Sequence, residues 1–261
     1  MNSKAMRTTM LAGRGRGLFL SAGIFTLIAI TMLANPSVGR AGDDGKELQF
    51  STLEFFIELN ETDEDVGVQC VLGGEPYKWL VGFGPDERPI LDLRPRRGLK
   101  KQGMSDFFFE SAEPSLDEFS MAEFLARFPA GVYEFESRTI EGEEQEGEAI
   151  FTHLMPAGPE IVSPMEGDVV DPMNAVVVWK PVTLSTALNP PQVPVKIVGY
   201  QVIVTREDPL RIYSVDVSAD TTSVSIPPEF LDPGTEYELE ILAVEESDNQ
   251  TISLLFFETQ E

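Results

Sequence analysis

Runs of β-compatible residues bounded by turn signals recur along this chain, and in places apolar and polar residues alternate with a period of two, the pattern of strands that bury one face. Residues 132–138 show it clearly: Tyr133, Phe135 and Ser137 lie on one side, and Val132, Glu134, Glu136 and Arg138 on the other. β-compatible runs between turn signals predict further strands over 48–59, 66–72, 77–83, 89–94, 107–109 and 148–154. A turn is expected at Gly73-Gly74-Glu75-Pro76 and an acidic loop over 141–146. Pro89 in the strand 89–94 and Pro95 directly after it place that strand at an edge. The period changes once. Ser115 with Glu118 and Ser120 with Glu123 have capping-box spacing ahead of Phe119, Leu125 and Phe128, which predicts one short helix or two turns over 115–127.

After Pro156-Ala157-Gly158-Pro159, a stiff boundary, seven further strands are expected: 160–163, 175–180, 197–205, 211–217, 223–226, 235–244 and 251–258. Pro233-Gly234 feeds a strand that begins at Tyr237, the form of a tyrosine corner in an immunoglobulin-like sandwich. Pro129-Ala130-Gly131 stands before Tyr133 in the same relation. The expected fold is therefore all-β: two tandem immunoglobulin-like or fibronectin type III-like β-sandwiches, over residues 47–155 and 159–259. The first carries a short helix near its last two strands.

For residues 159–259 the resemblance has a family. Pro164, Val178-Trp179-Lys180-Pro181, Gly199-Tyr200-Gln201-Val202, Ile226-Pro227, Leu231, Pro233-Gly234-Thr235, Tyr237 and Ala243-Val244 resemble a fibronectin type III domain. The resemblance implies that Trp179 fills the centre of the core and that Tyr237 ties its hydroxyl back to the backbone; Tyr200 is expected in the core as well. Tyr133 is the corresponding corner of the first half. The segment 184–195, with three prolines, is longer than that family's usual connection between its second and third strands. The whole arrangement is similar to exported bacterial proteins that carry such a domain.

The first 41 residues are set apart by Lys4, Arg7, Arg14 and Arg16, an uncharged apolar run over 17–34, Pro36 and small residues at Gly39 and Ala41. This predicts a signal peptide over 1–41; the alternative is a retained N-terminal membrane anchor. Removing it leaves 14 basic against 44 acidic residues, a net charge of −30 instead of −25. Such a charge disfavours nucleic acid and anionic membrane as partners. The expected location is periplasmic or secreted. Cys70 is the single cysteine, so no disulfide joins the chain to itself. Its alternation with Val68 and Leu72 predicts a buried thiol.

Candidate chemistry is sparse. Asn60, Asp63 and Asp65 place oxygens ahead of Gly67, a weak calcium pattern that lacks EF-hand spacing; its rival is a polar hairpin. No other cofactor is expected. Arg94, Arg96, Arg97, Lys100 and Lys101, with Arg88 nearby, gather six of the 14 remaining basic residues, a candidate contact for an anionic partner. The alternative is neutralisation by Glu141, Glu143, Glu144 and Glu146. His153 stands alone and is expected to hydrogen-bond at a sandwich end. No nucleophile motif, phosphate loop or Cys/His metal pattern appears. The expected function is a non-catalytic binding, adhesion or spacer protein whose partner is a protein or a glycan. The alternatives are a carboxylate-dependent glycan-active enzyme and a calcium-stiffened surface component.

Overall fold

A strand forms at each place where the sequence expects one. The computed structural model describes residues 48–261, so the leader expected over 1–41 lies outside the described residues. The first half contains β1 (Leu48–Gln49), β2 (Thr52–Asn60), β3 (Asp65–Phe83), β4 (Pro89–Leu93), α1 (Arg97–Gln102), β5 (Met104–Glu110), α2 (Met121–Arg127), β6 (Gly131–Thr139) and β7 (Glu144–Phe151). The second contains β8 (Ile161–Ser163), β9 (Val169–Val170), β10 (Val176–Trp179), β11 (Ile197–Arg206), β12 (Arg211–Ser218), β13 (Ser223–Ser225), β14 (Glu236–Glu245) and β15 (Gln250–Thr259). No helix among the described residues is long and apolar enough to cross a membrane.

Four local expectations change. The turn at 73–76 is the bend of one 19-residue strand, β3. Its first part pairs with β2 and β5, and its last part with β4 and β6. Gly74 permits the bend to pack closely, because a Cβ there would meet the Gln145 amide at 2.4 Å. The acidic loop shrinks, since β7 already starts at Glu144, with Gln145 pointing inward between exposed glutamates. Only the second capping box starts a helix: Ser120 Oγ accepts from Glu123 N, and Glu123 Oε2 accepts from Ser120 N, opening α2. At the first, Ser115 Oγ accepts from Asp117 N within a turn. Finally, α1 forms in the basic loop with none of its side chains buried, so no apolar period announced it.

β3 thus joins two layers of a sandwich, β5-β3-β2 against β4-β3-β6-β7-β1. Phe55, Val68, Cys70, Tyr133, Phe135 and Phe151 fill the space between them. In the second half, β15-β14-β11-β12 faces the small sheet β13-β10-β8 across Trp179, Tyr200, Val202, Tyr237 and Leu239. Across the middle of the molecule β2 and β15 pair in parallel, with Glu58, Leu59 and Asn60 opposite Gln250, Thr251 and Ile252. The order β5-β3-β2-β15-β14-β11-β12 is therefore one uninterrupted sheet, and the described residues belong to one compact unit.

Because side chains alternate strictly along strands, the register fixes which side each core occupies. Leu59 and Thr251 share a face, as do Glu58 and Gln250. Ile57 and Leu59 belong to the first core, and Leu255 and Phe257 to the second, so both cores lie on one side of the long sheet. The opposite side carries Glu58, Gln69, Glu110, Gln250, Glu240 and a small apolar group of Ile203, Leu242 and Ile252.

Candidate functional site

The basic segment runs from β4 through α1 with its cations exposed. Arg88 pairs with Asp86 at 3.5 Å and Arg94 with Asp92 at 2.6 Å, and the Arg94 guanidinium lies 5.3 Å from the centre of the Trp79 ring. Arg96 is extended and gives α1 no side-chain cap, while Lys100 and Lys101 fall in the last turn, where the helix dipole favours cations. Among the described residues Arg96, Arg97, Lys100 and Lys101 form no ion pair. Of the glutamates that could have neutralised the loop, Glu144 pairs with Arg138 at 3.2 Å instead. The segment therefore offers four exposed cations and two that are partly occupied by aspartates.

Asn60 and Asp63 are used by the β2–β3 hairpin itself. Asn60 Oδ1 accepts from Thr62 N and Asp63 N at 3.0 and 3.1 Å, and its Nδ2 donates to Asp63 Oδ2 at 3.1 Å. Asp65 faces a different set of carboxylates, on the side of the long sheet away from the cores. There one oxygen each from Glu58, Glu110 and Glu113 lies within 4.8 Å of the other two. A hard cation such as calcium takes oxygen ligands at such a spacing. Glu110 and Glu113 stand three residues apart and Glu58 some fifty residues before them, and the three carry no motif. Glu58 reads as an ordinary outward-facing strand glutamate.

Protein amides answer part of this charge. Gln69 Nε2 donates to Glu58 Oε1 at 2.6 Å, and Gln250 Nε2 donates to Glu58 Oε2. Burial pushes Glu58 up to about 8 against the Gln250 bond, with Glu110, Glu240 and Asp65 adding to the rise. Burial, then Glu58, Glu110 and Asp65, pushes Glu113 up to about 9. Asp65 rises to about 6 through burial, Asp63 and Glu110, and Glu240 to about 7 through burial, Glu238 and Asp63. Glu110 is raised by burial, while its hydrogen bond with Glu113 lowers it and raises Glu113.

The halves are fastened beside this cluster by polar contacts. Asn249, in the β14–β15 turn, is wholly buried. Its Oδ1 accepts from Ile57 N at 2.8 Å, and its Nδ2 donates to Thr152 Oγ1 at 2.8 Å and to the carbonyls of Thr152 and Leu154. Thr251 Oγ1 donates to Pro156 O at 2.7 Å. The proline-rich segment 184–195 folds back on the first half. Thr186 Oγ1 donates to Glu61 Oε1 at 2.6 Å, Asn189 Nδ2 donates to His153 O at 3.2 Å, and Leu188 packs against the first core. Its length signalled an unusual loop, but only the fold shows where it goes.

The remaining candidates are structural. Trp179 and Tyr200 meet edge to face at 5.4 Å, and Tyr200 Oη accepts from Val182 N at 2.9 Å. Tyr237 Oη accepts from Asp232 N at 2.7 Å, and Tyr133 Oη donates to Pro129 O at 3.0 Å. His153 Nε2 lies 2.7 Å from Phe128 O. Cys70 is wholly buried, and burial together with Glu54 pushes its thiol up to about 12. That is the wrong direction for a nucleophile at neutral pH.

No family model matches the chain, and no curated protein matches its sequence. Among solved structures it is similar to the FN1–FN3 domains of chicken CNTN1, at 13% identity and a TM-score of 0.30, over 82% of this chain and 66% of that one. It is also similar to a two-domain fibronectin type III segment of chicken tenascin, at 13% identity and a TM-score of 0.26, over 79% of this chain and 98% of that one. A third likeness, to Streptomyces avermitilis alpha-L-rhamnosidase complexed with L-rhamnose, has 19% identity and a TM-score of 0.30. It covers 41% of this chain and 10% of that one.

Proposed function

We propose that this chain is an exported, non-catalytic binding and spacer protein that meets an anionic partner, such as an acidic glycan, through the basic segment around α1. The observation that carries the reading is charge placement. Arg96, Arg97, Lys100 and Lys101 are exposed and unpaired among the described residues, on a chain of net charge −25. A protein so acidic repels polyanions over most of its surface, which leaves this one arm as the place of approach. The uninterrupted sheet supports the spacer part, because it joins the two halves through backbone pairing instead of a free linker.

The test is binding of the full chain to an immobilised acidic polysaccharide in low salt. Reversing the four charges (R96E, R97E, K100E and K101E) should weaken binding by roughly tenfold or more, and raising salt should do the same to the wild type. Binding that ignores the four substitutions refutes the assignment.

A further inference from the structure

A free sheet edge can pair with another chain unless something blunts it, and most edges here are blunted. β1, β8 and β13 are only two or three residues long. β4 opens on Pro89 and its pairing slips beside Phe83. β5 carries Asp106 and Glu110, and β7 carries Glu144, Glu146 and Glu148. β12, the end of the long sheet, has none of these devices. Its eight residues pair with β11 without a bulge, from Arg211 opposite Arg206 to Ser218 opposite Gly199. It holds no proline, lysine or glycine, and its two charges, Arg211 and Asp216, cancel. Among the described residues no strand lies on its far side, and the backbone of residues 212–217 bonds to nothing beyond β11.

The side chains are also set for a neighbour. Tyr213, Val215 and Val217 lie against the second core but are only partly buried, because the sheet stops at β12. Ile212, Ser214, Asp216 and Ser218 are exposed on the other face. A strand laid alongside would satisfy the outward N–H and C=O groups, and apolar residues at its alternate positions would close over the inner three. Charge selects the occupant. At a net charge of −25, two copies of this chain repel over most of their surface. A strand without net charge is where they can touch, and β12 has the alternation that a second β12 requires.

We propose that β12 is a docking edge for a second copy of this chain, the two strands pairing antiparallel about a two-fold axis at Val215. Such an interface uses the same patch on both copies and consumes both edges, so it closes at a dimer. The register follows from charge. With Val215 facing itself, Tyr213 stands opposite Val217, Ser214 opposite Asp216, and Ile212 opposite Ser218, so that each inner row continues the other. Centring one residue earlier brings Asp208 against Asp220 at the strand ends. Centring one residue later sets Asp216 against itself. Like charges directly opposite are destabilising.

The experiment is sedimentation velocity of the full chain at physiological ionic strength. One strand pair buries less than a standard interface, so the monomer should pass into a dimer between about 10 µM and about 1 mM. Ser214→Glu sets an acid opposite Asp216 twice in each dimer and should weaken association by about threefold or more. Ser214→Lys sets the opposite charge there and should strengthen it by about the same factor. Ile150→Glu and Ile150→Lys make the same charge changes at an exposed position on β7 and should match the wild type. In hydrogen exchange, every second amide of β12 should gain protection as concentration rises. A chain that stays monomeric over the whole range overturns the proposal. So does association that ignores both Ser214 substitutions, or that responds equally to those at Ile150. Should the Ser214 variants fold poorly, wild-type exchange decides alone, since a dimer that leaves the β12 amides unprotected overturns the assignment.

Discussion

Replacing Asn249 with alanine tests whether the two halves are fastened as described. The substitution removes the acceptor of the Ile57 N–H, which lies on the β15 side of β2 one residue before the parallel pairing begins. Ile57 is wholly buried, so its amide loses a partner where water does not reach. An orphaned buried donor costs about 1–3 kcal/mol. The carbonyls of Thr152 and Leu154 lose their shared donor as well, at about 0.5–1.5 kcal/mol each. Water entering the vacated space offsets part of this, which leaves a net loss of about 3 kcal/mol. For a unit of this size that corresponds to a melting temperature lower by about 6–12 °C. Urea unfolding followed by tryptophan fluorescence reads both halves, since Trp79 and Trp179 lie one in each. Asn249→Asp keeps the acceptor but loses the donors and buries a charge, so it should not rescue. A loss below about 1 kcal/mol for Asn249→Ala would show that the amide does not bind the halves together, and the reasoning would fail.

Two further outcomes follow from the cores. Tyr237→Phe and Tyr133→Phe should each cost about 1 kcal/mol or more in equilibrium unfolding. Tyr237→Phe should cost more, because its hydroxyl accepts from a backbone N–H that would be left without a partner, whereas Tyr133 donates to a carbonyl. Cys70 should be inert to a thiol reagent in the native chain at mildly alkaline pH and react fully in denaturant; rapid native labelling would contradict its burial.

The strands and the two tyrosine corners were legible because they depend on local alternation and on Pro-Gly turns next to a tyrosine. The bend in β3 was not. Gly73-Gly74-Glu75-Pro76 has turn composition, and whether such a stretch reverses the chain or only bends it is decided by what packs there, here Gln145. Helix α1 escaped notice because it buries nothing, and helical period is visible only where one face is apolar. The basic arm could be read as charge, but its freedom from neutralising glutamates depends on where Arg138 and Glu144 meet. The acidic cluster was invisible. In a chain with 44 acidic residues, no spacing marks out three glutamates carried by β2, β5 and the segment after β5.

The parallel pairing of β2 with β15 has a mechanical consequence. β2 is the first long strand of the first sandwich, and β15 is the last strand of the second. Tension that draws β2 toward its beginning and β15 toward its end pulls the two strands in opposite directions along their common axis. The pairing at Glu58, Leu59 and Asn60 is then loaded in shear, so its hydrogen bonds share the force instead of parting one after another. The junction between the halves, the place where a two-part rod would ordinarily yield first, is built to resist extension along its length.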